Sequence, residues 1–211
     1  MSDGSIANVR AEEILAALDQ DQKAVALASR GPVCVIAGAG TGKTRAITHR
    51  IAYGAAIGTM DPQKVLALTF TSRAAGEMRT RLRALGVPTV AARTIHAAAL
   101  KQLVYFWPTV FGGRVPELMT AKAGFIGEAI NRAGLAGELR ITSRELMRDI
   151  ASEIEWAKVS QVAPEDFVSE IAQRTQKPRV SAEKLAQIYT AYESVKKQEL
   201  AIDFEDVLLL T

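Results

Sequence analysis

The sequence predicts an α/β fold: a parallel sheet built around a phosphate-binding loop, with an all-helical segment inserted into it. Three observations point there. A short apolar run, Val33, Cys34, Val35 and Ile36, meets a small-residue loop and then a helical stretch that ends near Gly58. A second apolar run, residues 65–70, follows the turn Asp61-Pro62. Strand, helix and strand so close together form a βαβ unit, and parallel strands buried on both faces read as continuous apolar runs. From residue 117 to residue 200 the spacing of apolar residues is helical, with no further strand signal.

The loop carries the chemistry. It reads Ala37, Gly38, Ala39, Gly40, Thr41, Gly42, and Lys43 and Thr44 follow. A polyphosphate needs several backbone N–H groups turned toward it, and only glycine-rich backbone curls that tightly and approaches that closely. A helix starting near Gly42 adds its unpaired N–H groups and the positive end of its dipole. Lys43 is placed to reach the terminal phosphates and the Thr44 hydroxyl to ligate Mg²⁺, so the expected ligand is a nucleoside triphosphate with Mg²⁺. Ala37 departs from the strict form of this P-loop pattern, which begins with glycine. A glycine-rich turn with no ligand is the competing reading. The strand-before and helix-after context that the motif demands argues against it.

Size and composition fit a protein of one or two domains with a substantial core: 211 residues, 48% hydrophobic and 23% charged. No apolar run approaches the roughly 20 residues of a membrane span. The start, MSDGSIANVR, lacks an apolar signal core, so a cytoplasmic protein is expected. Cys34 is the only cysteine; it forms no internal disulfide and is read as packing in its strand. Net charge is +3, unevenly spread: residues 1–110 hold 13 Lys/Arg against 7 Asp/Glu, and residues 111–211 hold 13 against 16. A basic half beside a phosphate-binding loop leaves room for a second polyanion, although many solvated surfaces look the same.

Before the loop, residues 8–19 carry Ile14, Leu15 and Leu18 at helical spacing. Gln22 follows in LDQDQKAV. Its amide offers the donor and acceptor that read an adenine edge, although spacing alone favours a solvated surface residue. His49, inside the helix after the loop, is assigned to surface or packing.

After the second strand, Thr69-Phe70-Thr71-Ser72 caps a helix running to about Leu85, with Gly86 as its stop and Met78, Leu82 and Leu85 as its core face. In an open α/β sheet ligands gather at the carboxyl ends of strands, which puts Phe70, Thr71 and Ser72 on the edge of the loop. An exposed Phe70 with Arg73, Arg79, Arg81 and Arg83 behind it suits a stacked base and its phosphates; a core Phe70 with a solvated arginine face is the alternative. A third strand, residues 89–94, passes through Thr94-Ile95-His96 into a helix ending near Val104. His96 is either a phosphate donor at that edge or a structural capping residue.

Helices are expected near 118–133, 143–157, 164–175 and 181–199, with Ile150, Ile154 and Ala157 forming one core stripe and Leu185, Ile188, Tyr189 and Tyr192 another. The chain closes on Asp203-Phe204-Glu205-Asp206 followed by Val207-Leu208-Leu209-Leu210. A metal-coordinating acid of a P-loop ATPase follows its apolar strand. Here the acids come first, so this is not that element.

Read together, LDQDQKAV with Gln22, AGAGTGKT, TFTSRAAGEM, ARTIHAAAL and DFEDVLLL resemble, in this order, the N-terminal part of a superfamily 1A DNA helicase of the UvrD/Rep/PcrA type. VCVIAGAGTGKTRAITHRI and KQLVYFW resemble a second UvrD-like paralogue of actinobacteria. Ala37 is ordinary for this family. The resemblance implies a RecA-like domain over residues 1–110, a helical insertion over 111–200, and a return to the first domain over 201–211. It implies ATP and Mg²⁺ as cofactors, an adenine-reading Gln22, Arg45 near the phosphates, and Phe70, Thr71, Ser72, Arg73, Thr94 and His96 facing single-stranded DNA. It further implies 3′→5′ translocation, action at single-strand/duplex junctions, and service in DNA repair or replication restart. The family's D-E-x-Q-D box and second RecA-like domain are not among these residues. The 211-residue piece is therefore expected to be monomeric, to bind nucleotide weakly at most, and neither to hydrolyse ATP nor to unwind DNA. A stand-alone nucleotide- and single-strand-binding module and a small-molecule kinase with a helical lid are the rival readings.

Overall fold

The structure, a computed structural model, describes residues 3–139, 143–175 and 177–211, with side chains described from Val9 onward. The chain forms two compact units, one up to Ala98 and one from Ala99.

The first unit begins with α1 (Asp3–Ala16) and α2 (Gln20–Leu27). Asp19 caps α2, its side chain accepting from the Gln22 N–H at 2.8 Å. Such a cap satisfies one of the N–H groups that a helix start leaves unpaired. Next come α3 (Lys43–Ala56), a single 3₁₀ turn at Pro62–Lys64, β1 (Leu66–Thr69), α4 (Ser72–Ala84) and β2 (Ala91–Thr94). The strands β1 and β2 pair in parallel, Leu66 opposite Ala91 and Thr69 opposite Thr94, with α4 as the crossover. Thr71 caps α4 by accepting from the Ala74 N–H, and the helix stops before Gly86, whose φ is +74°. Arg79 fastens α4 to the sheet through the Ala92 carbonyl at 2.8 Å. The core gathers Ile14, Ile51, Ala67, Met78, Leu82, Val87 and Val90, so the face expected of α4 is the buried one.

One expected strand is not formed. Residues 33–36 join no ladder among the described residues, and the parallel pair is β1–β2 rather than the first two apolar runs. A strand exists only when a neighbour accepts and donates its backbone hydrogen bonds, and apolar sequence alone supplies no neighbour. Cys34, expected as packing in that strand, is exposed.

Helix α5 (Ile95–Val110) starts in the first unit and ends in the second. It runs past the expected end near Val104 and contains Pro108. The proline sits in the last turn, where one lost bond matters little, and the N–H groups of Phe111 and Gly112 both return to the Trp107 carbonyl.

The second unit continues with β3 (Glu117–Leu118), α6 (Ala123–Arg132), α7 (Arg144–Val159), α8 (Phe167–Gln173), α9 (Ala182–Gln198), β4 (Ala201–Ile202) and α10 (Phe204–Leu209). The four expected helices are present, the first shortened to residues 123–132. Ile150, Ile154 and Ala157 pack with Ile126, Ile130, Phe167, Leu185, Ile188, Tyr189 and Tyr192 in one cluster. Each fully buried Ile or Leu contributes roughly 1.5–3 kcal/mol of transfer free energy. Contrary to the expectation of no further strand, β3 and β4 form a two-residue parallel ladder. Two residues are too few to show a period of two.

Candidate functional site

The glycine-rich loop leads into α3 as its composition requires. Gly42 stands at the N-cap with φ +83°, and Gly40 has φ +79°. An alanine at position 42 would be strained by the left-handed φ, and its Cβ, 2.5 Å from Gln22 Nε2, would push the glutamine amide aside.

Gln22 Nε2 donates to the Thr41 carbonyl at 3.3 Å, which ties the start of α2 to the loop. The Thr41 hydroxyl donates to the Gly38 carbonyl at 2.9 Å. Lys43 Nζ donates to the Ala37 carbonyl at 2.9 Å and also to that of Gly38. The ammonium thus lies against the loop's own oxygens. A triphosphate, with more negative charge than two carbonyl dipoles, competes for it effectively.

A cavity of about 480 Å³ collects these groups. Its wall includes Gln22, Ala37, Thr41, Gly42 and Lys43 on the polar side and Val25, Val35 and Ile36 on the apolar side. Ala39 and Gly40 lie on the exposed outer part of the loop. Thr44 is half-buried in the first turn of α3, one residue past the lysine, where an oxygen ligand for a hard cation belongs. Arg45 does not join the cavity wall; its guanidinium donates to the Ala17 carbonyl. Sequence reasoning gives no ligand-binding role to Val25, Val35, Ile36 or Asp19, although all four line the cavity. Only Asp19 carried a local signal, an acid three residues ahead of Gln22 in N-cap spacing.

The second group of candidates sits at the carboxyl ends of β1 and β2. Because Thr69 pairs with Thr94, Phe70 and His96 emerge at the same edge of the sheet. Phe70 is 88% exposed and belongs to no core cluster. The Thr71 and Thr94 hydroxyls accept from the N–H groups of Ala74 and Ala97, and so cap α4 and start α5. Ser72 opens α4 and is exposed, and Arg73 pairs with Glu77 one turn on, at 3.2 Å. His96 is half-buried. His49, by contrast, is buried in α3, its Nδ1 2.8 Å from the Arg45 carbonyl, and burial pushes its pKa down, aided by the charges of Arg45 and Arg81.

No described helix is long and apolar enough to cross a membrane. A family model described as UvrD/REP helicase N-terminal domain matches residues 18–211. The ATP-dependent DNA helicase UvrD2 of Mycobacterium tuberculosis is 44% identical over 215 residues, covering 97% of this chain and 30% of that protein. The ATP-dependent DNA helicase PcrA of Leuconostoc citreum is 31% identical over 206 residues, 95% of this chain and 26% of that protein. PcrA of Bacillus subtilis is 28% identical over 208 residues. The chain spans less than a third of the length of these relatives.

Proposed function

Because the chain belongs to the UvrD/REP helicase N-terminal family, we propose that it is the nucleotide-binding portion of an ATP-dependent DNA helicase. That helicase translocates 3′→5′ on single strands, opens duplex at single-strand/duplex junctions, and works in DNA repair or replication restart. Residues 1–110 serve as a RecA-like P-loop domain, 111–200 as its helical insertion and 201–211 as the return. One observation carries the reading: Gln22, the glycine loop and Lys43 line a single cavity, with the glutamine amide bonded to the loop itself.

The base of ATP enters between Gln22 and the apolar wall of Val25 and Ile36. The phosphates take the loop N–H groups and draw Lys43 away from the Ala37 and Gly38 carbonyls. Thr44 supplies an oxygen to Mg²⁺, which would neutralise charge on the outer phosphates. Arg45 reaches the phosphates by giving up the Ala17 carbonyl. At the other edge, Phe70 offers a stacking face for an unpaired base, while Thr71, Ser72, Arg73, Thr94 and His96 hold the adjoining backbone phosphates. The 211 residues by themselves form a monomer that binds nucleotide weakly and neither hydrolyses ATP nor unwinds DNA.

Fluorescence anisotropy tests both sites. A labelled oligonucleotide should bind in a salt-sensitive way and in preference to duplex, and Phe70→Ala should weaken it by about 1–3 kcal/mol. Unchanged binding in Phe70→Ala would remove that residue from the interface. A fluorescent ATP analogue should lose its binding in Lys43→Ala, and DNA-stimulated phosphate release by these 211 residues would refute their inactivity.

A further inference from the structure

The densest chemistry outside the nucleotide site lies inside the second unit. Asp203 and Asp206 flank the start of α10, and both are buried, Asp203 completely. Each carboxylate accepts from the other residue's backbone N–H, at 3.0 and 2.9 Å, a reciprocal capping box. Lys158 of α7 and Lys196 of α9 are buried against them. Lys158 Nζ lies 2.9 and 2.8 Å from the two oxygens of Asp203, contacts Asp206, and reaches Glu193 at 3.2 Å. Lys196 Nζ lies 2.6 Å from Asp206, 2.8 Å from Glu193 and 3.1 Å from Asp203. The Tyr192 hydroxyl adds a bond to Asp203 at 3.0 Å. A few residues along, Lys122 bridges Glu155 and Glu205 at 2.7 and 2.6 Å.

Oxygens of Glu193, Asp203 and Asp206 lie within 4.8 Å of one another, a spacing that would suit a divalent cation. All three already touch an ammonium group. The two buried lysines balance the two buried aspartates, and the remaining negative charge sits on half-buried Glu193; such pairing is the condition for tolerating ions away from water. We propose that Lys158 and Lys196 are built-in counter-ions of the Asp203–Asp206 turn. They clasp residues 201–209 onto α7 and α9, and they take the place a metal ion would have among the carboxylates.

The electrostatics agree with the geometry. Burial alone would raise the Asp203 carboxyl, but Lys196 and Lys158 hold it far below the usual carboxylate range. Burial alone would lower Lys158, but Asp203 and Glu193 drive it upward.

The test is amide hydrogen exchange on the whole chain. Lys158→Met strands a buried carboxylate, so exchange across residues 201–209 should rise by about a hundredfold or more, ahead of any change in α8. The charge-balanced pair Lys158→Met with Asp206→Asn should recover most of that protection. Equal or greater exchange in the pair than in the single variant overturns the proposal, even where the single variant folds poorly. The unaltered protein supplies two further checks. The Asp203 carboxyl carbon should keep its ionised resonance down to about pH 3, and a transition near pH 4 contradicts the clasp. Added Mn²⁺ should leave the resonances of Asp203 and Asp206 unbroadened, and selective broadening there shows a metal site instead.

Discussion

The two units build different cores, although each also leaves large apolar side chains exposed, Tyr105 at 76% in the second among them. In the second, Phe167 and Tyr192 are wholly buried, and Lys158, Lys196, Asp203 and Asp206 are drawn inside. In the first, Ile36 is 96% exposed and Phe70 88%, while the core is built largely from smaller contacts around Ile51, Ala67 and Met78. The core of the helical unit packs large side chains on one another, whereas the first unit carries glycine backbone, an amide, an ammonium and an aromatic ring at its surface, where the proposed function puts the ligands. Loss of packing should therefore register in the second unit, and loss of binding in the first.

The largest effect expected from a single change is in the helical core. Phe167→Ala removes a fully buried ring that lies edge-on to Trp156 at 6.3 Å and to Tyr189 at 6.0 Å. It should cost about 3–5 kcal/mol in urea unfolding followed by tryptophan fluorescence. A cost below about 1 kcal/mol would mean that this core collapses around the gap and that the contrast between the units is overstated.

Gly42→Ala probes the other side of the comparison with a smaller energy and a different readout. The left-handed φ opposes a Cβ at a cost on the order of 1–3 kcal/mol, and the Cβ would displace the Gln22 amide from the loop. With the loop holding the nucleotide as proposed above, that strain should appear chiefly as weaker binding of a fluorescent ATP analogue. Full affinity in Gly42→Ala would show that the amide-to-loop tie is dispensable.

What could be read in advance follows the same division. Periodicity revealed Met78 and Leu82, and the stripes through Ile150, Ile154, Leu185 and Ile188, because a helix face repeats within a few residues. The turn through Gly42 into α3 was legible because its backbone signals are local. Three features were not. Residues 33–36 read as a strand, but pairing is a property of a neighbour. Arg45 turns to Ala17, which no spacing announces. Lys158 and Lys196 look like solvated helix charges until a turn 45 residues beyond Lys158 brings Asp203 to them.

The smallest effect separates the units by pH. The only histidines, His49 and His96, both lie in the first unit. Burial, with the charges of Arg45 and Arg81 beside it, keeps the folded-state pKa of His49 below its unfolded value near 6.5, against the pull of the Arg45 carbonyl. As pH falls through 6.5, the unfolded chain takes up a proton that the folded one refuses, so stability declines from there down to the folded pKa. Asp203 is held so low that it does not titrate in this window, and the ionic clasp stays intact. Amide protection around Ile51 and Ala52, corrected for the intrinsic rate, should therefore fall between about pH 7 and pH 5.5, while that around Ile154 and Ile188 holds steady. His49→Gln should flatten the decline in the first unit. If the decline persists in that variant, or appears equally in α7 and α9, then His49 is not its source and the two units do not respond to protons separately.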